Sequence, residues 1–228
     1  MTTPNGSVKF NSSTGSDSAS SGIGPTSAIT GSGAELDGTS TVDVSSDGVS
    51  LSSIASGDML FCDTSTGRKF SIIASVDTAS GTITTDDVWG TESAISWAVG
   101  GKRATLQNSQ DLWTITHGAA KQTLELETDQ VMTTYVTSYA DKGGKLVSSV
   151  PGTLRTLTFA SRISTGGGWQ AKDIHFKSTS NGKLGEANTG VQSSSWFLVD
   201  CIVGDATNQL GVLGSSHSRT FTITAYNT

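Results

Sequence analysis

Between residues 57 and 106 the chain alternates short apolar runs with polar breaks that end in glycine. The runs are Met59-Leu60-Phe61-Cys62, residues 70–76 and Thr82-Ile83-Thr84. The breaks are Asp63-Thr64-Ser65-Thr66-Gly67 and Asp77-Thr78-Ala79-Ser80-Gly81. Runs rich in β-branched and aromatic residues, separated by Asp/Ser/Thr/Gly turns, are the pattern of a strand, a tight turn and a returning strand. The spacing predicts an antiparallel meander, closed by a fourth strand over residues 95–99 before Gly100-Gly101 releases the chain. Period-2 alternation puts Ile95, Trp97 and Val99 on one face of that strand, the face expected to be buried. Upstream, Val42 and Val44 alternate with polar neighbours and add one more strand, and Asp47-Gly48 reads as a turn. Residues 34–104 are thus expected to form a small antiparallel β-barrel or sandwich.

Beyond residue 104 the pattern loosens. Residues 111–116 and 123–127 alternate as strands, residues 131–139 read as a strand of mixed spacing, and Pro151-Gly152 turns into a strand over residues 154–159. A repeat follows: residues 169–176 and 196–203 align at a spacing of 27, with Trp169 on Trp196 and Asp173 on Asp200. Such an offset suits successive coils of a parallel β-helix. A second pair, residues 155–159 and 219–223, matches at a spacing of 64, which is not a multiple of 27 and suits a sandwich. Residues 105–228 are therefore expected to be a second β-rich domain, either a β-sandwich or jelly roll, or a short parallel β-helix.

Residues 1–33 are rich in Ser, Thr, Gly and Asp. Val8 and Phe10 flank Lys9 in one strand-like alternation, enough to add a strand to another sheet's edge. So little apolar surface cannot order a segment by itself. The expectation is an extended N-terminal arm that orders on a partner, rather than a disordered tail. Val8, Lys9, Phe10, Ile23 and Pro25 are its candidate partner-binding residues.

Composition narrows the class. Charged residues are only 15 %, glycines number 27, and no segment repeats apolar residues at helical spacing, so the fold class is all-β. The formal charge of −6 and scattered Lys and Arg argue against nucleic-acid binding. The first residues have neither the basic nor the apolar region of a secretory signal, and no window has the apolar length that a membrane helix needs. A cytoplasmic origin is expected, with Cys62 and Cys201 as reduced core thiols.

Candidate chemistry is sparse. His117, His175 and His217 have no ligand spacing around them that makes a zinc pair. Asp86, Asp87 and Glu92 flank Trp89, and a carboxylate pair beside an aromatic is what a glycosidase needs. Adjacent strand residues point to opposite faces, however, and Thr85-Asp86-Asp87 reads as a turn. Gly166-Gly167-Gly168 and Gly31-Ser32-Gly33 lack the Lys-Ser/Thr of a phosphate loop. No enzyme activity, no cofactor and no metal are expected.

Three stretches carry a resemblance. They are residues 9–25, Gly67-Arg68-Lys69-Phe70, and Ser96-Trp97-Ala98-Val99-Gly100-Gly101-Lys102-Arg103. With them, residues 8–106 resemble the N-terminal region of tailed-phage virion proteins, namely capsid decoration proteins and tailspike-like proteins of phages that infect aquatic bacteria. The resemblance implies a structural or mounting module followed by a β-rich, often β-helical, body, and it assigns no catalytic residues. What it implies is a capsid decoration (cement) protein, a homotrimer on the phage major capsid protein. The alternative is a tail fibre or tailspike component for host-surface binding or polysaccharide degradation. The place implied is the outer surface of the virion, assembled in the host bacterial cytoplasm.

Overall fold

A computed structural model describes residues 2–106, 123–133, 136–138, 144–160, 162–165, 167–179, 183–184, 194–204 and 221–227. The chain is all-β and divides into two compact units. The first holds residues 1–9 and 14–104, the second residues 10–13 and 105–228, so the division falls within strand β1 (Val8–Phe10). No helix among the described residues is long and apolar enough to cross a membrane.

Six strands of the first unit close into an antiparallel barrel. They are β2 (Ile29–Asp37), β3 (Thr41–Asp43), β4 (Met59–Thr64), β5 (Gly67–Asp77), β6 (Thr82–Thr85) and β7 (Thr91–Val99). Their order around the barrel is β2-β3-β6-β5-β4-β7. The expected hairpins β4–β5 and β5–β6 are present. The closing strand β7 does not follow β6 in space. It pairs with β4, Cys62 opposite Trp97, and with β2, while β3 pairs with β6. Inside lie Leu36, Val42, Val44, Leu60, Cys62, Ile73, Ile83, Ile95, Trp97 and Val99, among them the Val42/Val44 and Ile95/Trp97/Val99 sets that alternation selects.

Strand β2 corrects the boundary of the arm, because its first five residues fall within residues 1–33. Its text, ITGSGAELD, hides it. The two glycines are required by what lies opposite. A Cβ at Gly31 would collide with the Asp47 carboxylate and the Trp97 indole nitrogen, and one at Gly33 with the Ser46 hydroxyl. The strand gives up side chains there so that its backbone can approach a polar pair. Trp97 Nε1 donates to Asp47 Oδ2 at 2.7 Å, and Asp47 Oδ1 accepts from the Ser32 and Gly33 amides at 3.0 and 3.1 Å.

The second unit is built from strands that pair only in parallel among the described residues. One sheet runs β8 (Thr123–Leu126), β11 (Lys145–Ser148), β14 (Gly167–Lys172), β17 (Ser194–Val199) and β19 (Phe221–Tyr226). A second runs β9 (Gln130–Met132), β12 (Arg155–Phe159), β15 (Ile174–Ser178) and β18 (Ile202–Val203). A third runs β10 (Val136–Ser138), β13 (Arg162–Thr165) and β16 (Lys183–Leu184). Each circuit of the chain visits the sheets in turn, so of the two alternatives for residues 105–228 the parallel β-helix is the one observed. The spacing of 27 is one coil: Trp169 stands opposite Trp196, and Trp196 opposite Ile223. The spacing of 64 is no repeat, since Arg155–Phe159 and Phe221–Tyr226 lie in different sheets. A parallel pairing needs no particular hairpin text, which is why the antiparallel alternative could not be dismissed by turns alone. The strand expected at residues 111–116 lies outside the described residues.

Within the coils, inward positions stack. Trp169 and Trp196 are buried with ring centroids 5.8 Å apart, and Phe176 meets Trp196 edge-on at 5.6 Å. The corner after β14, β17 and β19 is also periodic. Asp173, Asp200 and Asn227 have φ of 57°, 51° and 52°, left-handed values that Asp and Asn tolerate better than other L residues. The Asp173 amide donates to Val199 O and the Asp200 amide to Tyr226 O, so each corner is tied to the coil that follows.

Candidate functional site

The first unit carries a feature that its sequence pattern did not announce. Residues 14–28 form a strap held to the barrel's outer side. On β4 and β5 the face opposite the barrel interior is apolar too: Met59, Phe61, Phe70, Ile72 and, on β7, Ala98 are all buried. The Ile23 carbonyl accepts from the Met59 amide at 3.1 Å, and Gly100 O accepts from the Ser21 and Gly22 amides. Ser21 Oγ accepts in turn from the Gly100 amide at 2.6 Å.

Two arginines fasten the strap. Arg68 pairs with Asp63 at 2.7 Å, lies 4.1 Å over the Phe61 ring and donates to the carbonyls of Asp17 and Ser18. Arg103 is 0 % exposed, donates from Nη1 to Ser20 O at 2.8 Å and lies 3.9 Å from the Asp17 carboxylate. A buried guanidinium needs partners for its donors, and the strap's carbonyls supply them.

This placement corrects the expectation that the arm needs a partner in order to be ordered. Val8 and Ile23 are 0 % and 3 % exposed within the chain itself, and Phe10 is 0 % exposed. Lys9 is exposed, and Pro25 is half-buried with its carbonyl accepting from Gly101. The argument from low apolar content holds for a segment alone. It fails here because the barrel offers a second apolar face, written in the unbroken run Met59-Leu60-Phe61-Cys62, all of it buried. A four-residue run without alternation was the available signal of a strand covered on both faces.

The carboxylates flanking Trp89 are not brought to a common point of action. Asp86 accepts from the Thr2 amide and hydroxyl, Asp87 from Ser71 Oγ at 2.8 Å, and Glu92 from the Ser65 amide at 2.7 Å. Trp89 is buried, with its indole donating to Thr85 Oγ1 at 2.7 Å. His175 Nε2 lies 2.9 Å from Gly204 O, while His117 and His217 lie outside the described residues. Among the described residues no three His, Cys, Asp or Glu side chains converge as metal ligands. Cys62 and Cys201 are free and buried, and burial pushes both thiols up, away from the reactive thiolate. Gly167-Gly168 begin β14 and Gly31-Ser32-Gly33 lie within β2, so neither set is a phosphate loop.

Two clefts border the strap. One is lined by residues that include Asn5, Lys9, Gly24, Asp58 and Lys102. Its Asp58 is buried and already accepts from Asn5 Nδ2 and the Ala55 amide, both at 2.9 Å. The other, of about 380 Å³, is lined by Thr14, Ser16, Ser20, Thr26, Ser27 and Lys102 among others. Sequence reasoning passed over these hydroxyls because a Ser/Thr-rich stretch reads as low complexity until a surface orders it.

Neither family models, curated proteins nor solved structures give a match to this chain.

Proposed function

We propose that the chain is a non-enzymatic structural protein of a tailed-phage particle, decorating and stabilising the outer capsid surface as a homotrimer on the major capsid protein. The reading starts from the resemblance of residues 8–106. The observation that supports it is where the polar groups go. Asp47, Asp58, Asp86, Asp87 and Glu92 each accept hydrogen bonds from the chain's own donors, so the carboxylates of the barrel serve its architecture. A net charge of −6 suits an outward-facing surface better than one that faces packaged nucleic acid.

A second reading, a tail fibre or tailspike component that binds the host surface or degrades its polysaccharide, is favoured by the parallel coils of the second unit. A β-rich, often β-helical, body after the N-terminal module is what the resemblance leads one to expect. Electron microscopy of particles labelled with gold-conjugated antibody separates the two. Label over the head is the expected result, label confined to the tail carries the second reading, and unlabelled particles exclude both. No new reducing ends are expected from host-envelope polysaccharide. Activity lost in Asp86→Asn or Asp87→Asn would overturn the non-enzymatic reading.

A further inference from the structure

We propose that Asn5 is a self-modification site, at which attack by the Gly6 amide nitrogen turns the carboxamide into a carboxylate and undoes the clasp that holds residues 2–5 to the barrel. In Asn5-Gly6 the attacking residue has no side chain to hinder it. Gly6 is exposed, a Cβ built on it would meet nothing within 4 Å, and among the described residues nothing accepts from its amide. The nitrogen is therefore open to the reaction. A bond forms from Gly6 N to Asn5 Cγ, closing a succinimide ring. The Cγ–Nδ2 bond breaks, and Nδ2 leaves as ammonia with the proton that Gly6 N gives up. Water then opens the ring at either carbonyl and leaves aspartate or isoaspartate at position 5. The only co-reactant is water.

What Asn5 holds makes the conversion consequential. Its amide donates to Gly57 O at 2.8 Å, and its Nδ2 donates to Ser56 O at 2.8 Å and to Asp58 Oδ1 at 2.9 Å. Asp58 is 4 % exposed, and its other oxygen accepts from the Ala55 amide at 2.9 Å. An aspartate at position 5 has no donor for Ser56 O or Asp58 Oδ1, and it sets a second carboxylate against the buried one. An isoaspartate also adds a methylene to the backbone, where the fit is already close. A Cβ on Gly57, φ 93°, would stand 2.4 Å from Asn5 Oδ1 and 2.7 Å from Thr3 O. The two bonds from Nδ2 delay the attack without forbidding it, because Asn5 is itself exposed and can open locally. Loss of ammonia makes the change one-way, so the clasp loosens with the age of the molecule.

The test ages the full chain at mildly alkaline pH beside Gly6→Ala, with Asn5→Asp made as a stand-in for the product. Mass spectrometry of the tryptic peptide that ends at Lys9 should show amide turning to acid at Asn5 in the native chain. In Gly6→Ala that conversion should be lost over the same incubation. Fresh Gly6→Ala should melt with the native chain, since its Cβ has room. Fresh Asn5→Asp should melt lower, and the aged native chain should acquire that lower transition while aged Gly6→Ala does not. The second Asn-Gly pair, Asn181-Gly182, lies outside the described residues and ages alike in both proteins, so the comparison isolates position 5. An Asn5 that keeps its amide in the aged native chain would overturn the site. Equal conversion in Gly6→Ala would overturn attack by the Gly6 nitrogen, and Asn5→Asp melting with the native chain would overturn release of the clasp.

Discussion

At the scale of single residues, the barrel turns on the pair Trp97 and Asp47. Trp97 is 1 % exposed, and truncation to Ala should cost about 3–5 kcal/mol, enough to leave a marginal domain unfolded or insoluble. Burial works against the Asp47 carboxylate, but the Trp97 indole and the Ser32 and Gly33 amides outweigh it and hold its pKa below the usual carboxylate range. A depressed folded pKa gives stability that is present above the unfolded value, about 3.9, and is lost as pH falls through the folded one. Asp47→Asn should therefore melt below the native chain at neutral pH, and the gap should narrow as the pH is taken below about 4. A gap that stays constant with pH would assign the effect to geometry instead of charge. A different test suits the coil corners. Asp200→Gly should be nearly neutral or stabilising, because φ of 51° suits glycine, whereas Asp200→Val should destabilise by about 1–3 kcal/mol in denaturant titration.

At the scale of elements, what was legible followed from side-chain alternation. β4 to β7 could be read because Phe61, Ile73, Ile83 and Trp97 sit in runs bounded by glycine turns. β2 could not, because its central residues are small so that the Asp47–Trp97 pair can be approached. The strap was illegible for a related reason: its binding is carried by carbonyls accepting from Arg68 and Arg103, and backbone acceptors leave no trace in residue type. The Trp169–Trp196 repeat was legible because inward positions of neighbouring coils share one environment. Arg103→Ala removes a 0 % exposed guanidinium from beneath the strap and should release it. Thermolysin should then cleave near Ile23 or Ile29 in the variant well before it cuts the native chain.

At the scale of the whole chain, the strap cannot be treated as a removable arm. Removing residues 1–28 would uncover Met59, Phe61 and Ile72 and leave Arg103 without its Ser20 acceptor. The truncated protein is expected to be insoluble or to lose cooperative melting. Soluble, cooperatively unfolding material would show that the barrel stands without its cover.

The parallel stacking of the second unit has a mechanical consequence. Its hydrogen bonds between coils run along the stacking direction, so tension along that direction loads a whole inter-coil ladder at once, about 4.8 Å of reach per coil. Among the described residues the ladders are unequal: β14 and β17 share six residue pairs, from Gly167↔Ser194 to Lys172↔Val199, whereas β15 and β18 share His175↔Ile202 and Phe176↔Val203. Of these two described ladders, the β15–β18 one would part before the Trp169–Trp196 one under a pulling force.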